Sequence, residues 1–407
     1  MNEKVERLYK SHFGKMVASL AYAFRNIDLE HVEDIVQESF SRAIVDWRDN
    51  GIPLNAPGWL YRVCRNHALN EIKEKSRLTK LAGEHELATA TNDFSESILD
   101  DQQLKLLFAC AHPDLSPKIQ VVITLKYVIN LKVEAIAKVL AMTIDGVDKI
   151  LVRARDKIQR DEIFLSVPSN SGLRPRLSTV HKVIYLVFNE GYKTSHGNDL
   201  IREDLCEEAL LLTKSLLDCD LFDHETFSLY SLMLFHAARF KSRFNTAGEL
   251  VDLEHQDRSH WHSDLITLAN YYLKQSRSET LSKFHIEACI AHLHCLANSF
   301  DETDWVSIRK LYSTLLVDNS NPFVELSYAI ACYYSGEKET CFYTLNQLEQ
   351  QPYMRNYYLL NATLGKLYAR ESKSDEAITY LEKAFNQTTA TLEKVFINNS
   401  ILKIREG

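Results

Sequence analysis

The sequence predicts an all-α protein built from several domains. Its 407 residues include only 12 Gly and 8 Pro, so few residues interrupt helices. Apolar residues recur every three or four positions from the start of the chain, a spacing that places them on one helix face. The first of these are Leu8, Phe13, Val17, Leu20 and Phe24. Because the length exceeds one ordinary core, roughly two to four domains are expected.

Changes in composition divide the chain into four helical blocks joined by two linkers. Small polar residues mark the first linker, and Pro168, Gly172 and Pro175 mark the second. The predicted bounds are a block at 1–81, a linker at 82–97, a block at 98–165, a linker at 166–178, a block at 179–300 and a block at 301–407. The second block is expected to break at the turn around Pro113.

Composition favours a cytoplasmic protein. No stretch reaches the roughly 18 uncharged apolar residues that a membrane span needs, so no membrane contact is expected. The charged segment from Met1 to Lys10 lacks the apolar region of a secretion signal. The 8 cysteines have no paired spacing and lie mostly in apolar runs, which indicates buried reduced thiols.

The distribution of charge is more informative than the net value of −8. Residues 1–165 carry 23 Lys+Arg and 24 Asp+Glu, a net of −1, and the remainder carries 24 and 31, a net of −7. The bases of the first part concentrate in two segments, six in 58–80 and five in 146–160. Two short basic patches suit local contact with phosphates. The acidic residues from Asp28 to Asp34 leave room for a protein partner.

Residues 131–158 predict two helices joined by a tight turn. Ala137 is small where the second helix must cross, and the Thr143 hydroxyl can cap that helix. The apolar face of the second helix consists of Val147, Ile150, Leu151, Ala154 and Ile158. Its opposite face is basic, so it can lie in a major groove. Asp145 and Asp148 predict weak or partner-assisted binding, and a plain helical hairpin with a solvated face is the alternative.

Two earlier segments predict one helix with an acidic polar side and one helix with a basic face. Residues 34–40, DIVQESF, place Asp34, Gln37 and Glu38 near one polar side, which suits a basic partner. Residues 58–70, GWLYRVCRNHALN, begin a helix whose basic residues can engage the DNA backbone. The basic residues on or near one face are Arg62, Arg65, Lys73 and Arg77. The loop before this helix could hold an extruded base.

With these three segments in this order, the chain resembles bacterial sigma factors of the extracytoplasmic-function (ECF) kind. Residues 34–40 resemble the region-two helix that binds RNA polymerase, which implies polymerase contacts at Asp34, Gln37 and Glu38. Residues 58–70 resemble the helix that melts the minus-ten element, and residues 131–158 resemble region four, which reads the minus-thirty-five element. The implied DNA-binding residues are Arg62, Arg65, Asn66, Lys73, Arg77, Thr143, Lys149, Arg153 and Arg155. Asn70 stands where the family usually has Asp.

The later blocks resemble the extension of one ECF subgroup, which carries a helical, tetratricopeptide-like C-terminal domain. The matching stretches include 186–192, 248–254 and 256–259. An internal repeat supports an array of tetratricopeptide-like helical hairpins. The repeated positions of one copy are Leu364, Gly365, Tyr368, Ala377, Leu381 and Ala384. Those of the other copy, 36 residues earlier, are Tyr328, Ala329, Cys332, Cys341, Leu345 and Leu348. A generic helical bundle is the alternative.

The resemblance implies core RNA polymerase and promoter DNA as partners, together with a regulatory protein or ligand on the extension. It implies no cofactor, no metal and no enzymatic activity. Because the extension carries a net −7, we hypothesise that it regulates the sigma module in cis.

Three other functions compete with that of a sigma factor. An enzyme is not expected, because the chain has no phosphate loop, dinucleotide glycine pattern or nucleophile elbow, although residues 254–262 gather polar side chains. His285, Cys289 and His292 share one helix face, but structural zinc takes four ligands, usually from two segments. They are therefore expected to be core residues. A pure scaffold built on the repeats is the third alternative.

Overall fold

The structure is a computed structural model of the chain. It describes residues 2–24, 28–78, 96–140, 142–163, 165, 170–192, 202–219, 221–279, 281–318 and 321–406. These residues form α-helices and short helical turns without a β-strand, which confirms the predicted all-α class. None of the helices described is long and apolar enough to cross a bilayer. The chain divides into two compact units: Met1–Ser195 with Arg202–Phe222, and His196–Ile201 with Asp223–Gly407.

The described residues of the first unit form ten helices. They are α1 Asn2–Ala23, α2 Leu29–Asn50, α3 Ala56–Leu78, α4 Glu96–Cys110, α5 Pro117–Ile123, α6 Val133–Val139, α7 Ile144–Arg160, α8 Asn170–Leu173, α9 Leu177–Tyr192 and α10 Glu203–Asp218. A π-helical turn at Thr124–Val128, called the π turn below, lies between α5 and α6. Residues 82–95 of the first predicted linker lie outside the described residues.

The described part of the second predicted linker, residues 170–178, consists of helical turns and the start of α9. Within it lie α8 and a 3-10 turn at Arg174–Arg176. Pro175 stands in the first turn of the latter, where its fixed φ and missing N–H are tolerated. A proline taken as a helix breaker therefore begins a helical turn here.

The core of the first unit forms around α1, which packs against α2, α3, α4 and the π turn. Phe13, Val17 and Leu20 are fully buried along α1, as the periodicity predicts. On α2 the fully buried Trp47 packs edge-on against Trp59 of α3, with ring centroids 5.3 Å apart. The apolar faces predicted for these helices therefore meet in one core.

Helices α9 and α10 pair with each other and pack against α4 and α5 in the first unit. The Arg176 guanidinium donates to the carbonyl oxygen of Phe108 at 2.7 Å, and the Thr179 hydroxyl donates to Oε1 of Gln120 at 3.2 Å. The sequence predicts residues 179–300 as one domain, whereas the structure divides this range after 222. The reason is that the apolar faces of this helical pair are buried within the first unit.

The described residues of the second unit also form ten helices. They are α11 His224–Ala237, α12 Ser263–Gln275, α13 Lys283–Leu296, α14 Trp305–Asp318, α15 Pro322–Tyr334, α16 Lys338–Gln350, α17 Pro352–Arg355, α18 Tyr358–Arg370, α19 Ser374–Gln387 and α20 Thr391–Glu406. The pairs α15–α16 and α18–α19 pack closely. A Cβ added to Gly365 of α18 would lie 2.6 Å from Cγ of Leu381 of α19, so a small residue is needed there.

A polar loop between α11 and α12 is tied to helices of the second unit. The Lys366 ammonium lies 2.6 Å from Oδ2 of Asp252 and 2.8 Å from Oε2 of Glu254, and Arg370 also pairs with Glu254. The Arg258 guanidinium donates to the carbonyl oxygens at 294 and 297, at 2.7 and 2.6 Å. The polar cluster of residues 254–262 therefore fastens this loop to α13 and α18.

Replacing Lys366 with methionine is expected to lower the free energy of unfolding by about 1–2 kcal/mol at neutral pH, since these charges are only partly buried. Burial alone would raise the pKa of Asp252 and Glu254, but the Lys366 ammonium and its hydrogen bonds lower both. The ionised carboxylates stabilise the folded state above about pH 4. This stabilisation is lost as the pH falls through their lowered pKa values in the folded state.

Urea unfolding of the full chain as a function of pH measures this effect. The difference between wild type and Lys366→Met should shrink as the pH falls below about 4. The exposed Lys403→Met in α20 is the matched control and should change little. The prediction would be contradicted if the two proteins still differed by the same free energy of unfolding at a pH where the carboxylates are fully protonated.

Two histidines of α13, His285 and His294, have structural partners. His285 Nδ1 lies 2.8 Å from the Ser276 hydroxyl oxygen, and the His294 ring packs edge-on against Trp305 with centroids 5.2 Å apart. Burial, with the nearby Arg239, lowers the pKa of His294 to about 3. His294 is therefore neutral at physiological pH.

Candidate nucleic-acid interface

The outer face of α2 carries the three residues predicted to bind polymerase. Asp34, Gln37 and Glu38 are all exposed, while the opposite side of the helix is buried. The buried apolar residues on that side are Val32, Ile35, Val36, Phe40, Ala43 and Trp47. A hydrogen bond from Arg42, at 2.6 Å, lowers the pKa of Glu38, so this carboxylate stays charged. The predicted residues therefore form one continuous polar face.

Exposed apolar side chains continue this face toward the C-terminal end of α2. Val45 is 61% exposed and Ile44 is 37% exposed. Leu54, in the loop between α2 and α3, is fully exposed. Sequence reasoning missed all three residues, although two apolar residues directly after the core position Ala43 could have suggested that they lie off the buried face. An acidic helix face with an apolar end is suited to a protein partner.

The basic side of α3 carries part of the predicted DNA-binding set. Arg62 and Asn66 are exposed and Arg65 is half-buried, while Leu60, Cys64 and Ala68 are buried on the other side. The side chains of Lys73 and Arg77 lie outside the described residues, although their backbone belongs to α3. The structure therefore brings Arg62, Arg65 and Asn66 together on one side of the helix.

The loop before α3 has a defined turn. Gly51 caps the C-terminal end of α2, and its φ of 79° suits glycine. Its N–H donates to the carbonyl oxygen of Trp47 at 3.1 Å. Asn55 Oδ1 accepts from the N–H of Gly58 at 2.8 Å, which caps the start of α3. These contacts fix the loop that presents Leu54 beside the basic helix.

Two histidines connect α2 with α3 behind these faces. His67 Nε2 lies 3.3 Å from Oε1 of Glu71 and 3.5 Å from Oε2 of Glu38. His31 pairs with the other carboxylate oxygen of Glu71. The relative position of the acidic face of α2 and the basic side of α3 is therefore supported by a polar network that sequence reasoning did not identify.

Helices α6 and α7 carry the second predicted DNA-binding set. Thr143 Oγ1 accepts from the N–H of Gly146 at 3.1 Å, so it caps α7 as predicted. The side chains of Lys149, Arg153 and Arg155 are exposed, and the Lys149 ammonium lies 2.7 Å from Oδ2 of Asp145. The buried side of α7 consists of Val147, Ile150 and Ala154. The predicted residues therefore share the solvent side of α7.

Two ion pairs join α7 and the π turn to α2. Arg155 of α7 pairs with Glu30, and Lys126 of the π turn pairs with Glu33. Both acidic residues lie within the first two turns of α2. No sequence signal locates such pairs, because each spans about a hundred residues.

Comparison with known proteins identifies the N-terminal part. Residues 9–78 match the family described as Sigma-70 region 2, and residues 176–277 match a family of unknown function, DUF6596. The first unit therefore carries a sigma-70 region 2 domain, formed by α1 to α3, which supports a sigma-70 family factor.

One relative can be aligned with nearly the whole chain. An uncharacterized protein, R00370, of Rhizobium meliloti (strain 1021) is 31% identical over 391 residues, covering 94% of this chain and 91% of its own length. The chain belongs to the same family as that protein. No solved structure matches the chain.

Proposed function

We propose that the chain is a sigma factor of the ECF kind, which binds core RNA polymerase and directs promoter-specific transcription initiation. The observation that carries this proposal is the sigma-70 region 2 match, together with the acidic outer face of α2 beside the basic side of α3. In this proposal Asp34, Gln37 and Glu38 dock on the polymerase. The protein acts by binding and not by catalysis, in the cytoplasm where polymerase works.

The DNA contacts are divided between the two parts of the first unit. Arg62, Arg65 and Asn66 of α3, continued by Lys73 and Arg77, engage the minus-ten element, and the loop with Leu54 receives an extruded base. Helices α6 and α7 act as a region-four helix-turn-helix on the minus-thirty-five element. The contacts proposed there come from Thr143, Lys149, Arg153 and Arg155. Each protein cation that meets a phosphate releases counterions, so binding should weaken as salt rises.

The C-terminal part is proposed to be a regulatory extension that acts in cis. The close pairs α15–α16 and α18–α19 and the small residue at Gly365 support a tetratricopeptide-like array. Such arrays offer extended surfaces to partners, so a regulatory protein or ligand is proposed to bind there.

In vitro transcription with bacterial core polymerase on genomic fragments tests the proposal. Specific transcripts from the full chain are expected. The double substitution Arg62→Ala/Arg65→Ala should reduce open complexes about 10- to 100-fold, as two charge-assisted DNA contacts are lost, and should change core binding less than about 3-fold. The control Lys4→Ala/Arg7→Ala removes the same charge from exposed positions of α1.

Two outcomes of these assays would contradict the proposal. An equal loss of open complexes and core binding would overturn the division of roles between α2 and α3. A soluble full-length protein that does not bind core polymerase would instead favour a scaffold built on the helical repeats.

A further inference from the structure

The acidic start of α2 is used neither by the proposed polymerase face nor by the proposed DNA contacts. Asp28 caps this helix by accepting from the N–H of His31 at 2.9 Å. Glu30 and Glu33 follow within the first two turns. Negative side chains are favourable at a helix N-terminus, but this alone explains neither where Glu30 and Glu33 point nor why Glu33 is buried.

The partners of these carboxylates are Lys126 of the π turn and Arg155 of α7. Glu33 is 5% exposed and pairs with Lys126, and it also accepts from Nε2 of Gln37 at 3.1 Å. Glu30 pairs with Arg155, one of the proposed phosphate contacts on α7. Burial and then the carboxylates of Glu33 and Glu30 raise the pKa of Tyr127, which lies in the same group.

Close packing holds the two parts in this arrangement. A Cβ on Gly14 of α1 would lie 2.1 Å from the carbonyl oxygen of Val128, so α1 touches the backbone of the π turn. Gln103 Nε2 donates to that same oxygen at 3.5 Å. The side chains of Tyr9 and Asn130 share a hydrogen bond. The Lys126–Glu33 pair therefore lies at a packed interface.

We propose that Glu30 stands in for a DNA phosphate at Arg155 while the Glu33–Lys126 pair holds α2 against the π turn, so that this arrangement of the first unit is self-inhibited. The inference rests on the proposed function, since it assigns a regulation to the same DNA-binding surface. A carboxylate offers a guanidinium or ammonium the same charge-assisted hydrogen bonds as a phosphate oxygen. DNA must therefore displace Glu30 before it gains the contact with Arg155.

The two pairs contribute unequally to this inhibition. The Glu30–Arg155 pair is exposed, with side chains 45% and 44% accessible, and exposed pairs contribute little. The Lys126–Glu33 pair is more buried, and separating it would leave a carboxylate without its cation in a protected position. Glu33 is therefore the main determinant, and apparent DNA affinity falls by the fraction of molecules in the open state.

The test compares Glu30→Gln/Glu33→Gln with wild type in the full chain. A fluorescent mixed-sequence DNA duplex reports direct binding, and transcription with core polymerase reports function. The double variant should bind the duplex about 3- to 30-fold more tightly and give more transcript. The control Asp49→Asn/Glu207→Gln changes net charge equally at two exposed positions outside these ion pairs, and it should show only the smaller effect of net charge.

A second experiment uses a chemical cross-link to keep α2 and α7 in the arrangement seen in the structure. Glu30→Cys/Arg155→Cys, joined by a short bismaleimide, should lose duplex binding and transcription about 10-fold relative to the same variant before cross-linking. The unsubstituted chain treated with the reagent controls for reaction at native cysteines such as the exposed Cys219.

The outcomes separate this inference from the proposed function. A cross-linked form that binds and transcribes like the open one would overturn the inference, as would a Gln variant that matches its charge control or fails to bind DNA. Transcripts from wild type would still uphold the sigma factor. If duplex binding changes as expected while no form transcribes, self-inhibition stands and the proposed function fails.

Discussion

Replacing Gly14 with alanine is expected to lower the free energy of unfolding of the first unit by about 1–3 kcal/mol. The added Cβ would lie 2.1 Å from the carbonyl oxygen of Val128, and since that atom is backbone, α1 must move away from the π turn. Alanine is intrinsically better than glycine in a helix by about 1 kcal/mol. A net loss of stability therefore reports the contact itself.

Hydrogen exchange and urea unfolding of the full chain measure this effect. Exchange should accelerate in α1 and the π turn before it does so elsewhere in the first unit. Ser11→Ala, on the exposed side of the same helix, is the control and should change stability by less than about 0.5 kcal/mol. Equal unfolding midpoints for Gly14→Ala and wild type would show that the helices do not meet as described.

A chain ending at Leu165 is expected to fold much less stably than one ending at Phe222. The shorter chain lacks α9 and α10 and therefore exposes the sides of α4 and α5 that they cover. Each large apolar side chain returned to water costs about 1.5–3 kcal/mol, so the exposure of even a few of them removes a large part of the stability of an ordinary domain. Thermal unfolding of the two fragments, followed by circular dichroism, measures the difference.

Adjacent leucines of α10 provide a matched pair for the same prediction. Leu212 is 4% exposed and Leu211 is 55% exposed. Leu212→Ala should cost about 2–4 kcal/mol and Leu211→Ala less than about 0.5 kcal/mol. A cooperative transition at the same temperature for both fragments would contradict the assignment of α9 and α10 to this unit. To test what the extension does, a chain that ends at Phe222 is therefore the better extension-free fragment.

Local patterns were sufficient to predict most of the secondary structure and part of the site. The spacing of Phe13, Val17 and Leu20 gives the buried face of α1 because helix periodicity is a property of neighbouring residues. The capping of α7 by Thr143 is equally local. The exposure of Asp34 and Lys149 follows from the apolar residues on the opposite sides of their helices.

The remaining features depend on which faces meet in three dimensions. Pro175 indicated a boundary, yet the helices after it complete the first unit, because a break in the helix does not determine where the next one packs. The pairing of Arg155 with Glu30 joins residues far apart in sequence, and neither residue signals the other. The exposure of Val45 reflects how α2 sits on its neighbours.

The π turn has a consequence for insertions and deletions in this family. In it the Ile129 N–H reaches back five residues, to the carbonyl oxygen of Thr124 at 3.2 Å, instead of the usual four. Such a turn accommodates one residue more than a regular helix would. Removing a single residue here would close the bulge into a regular helical turn, and the side chains within it, Lys126 among them, would then point in other directions. Relatives with a gap at this point should therefore have lost the lysine–glutamate pair, and the length of this segment becomes a marker of the arrangement that can be followed in sequences alone.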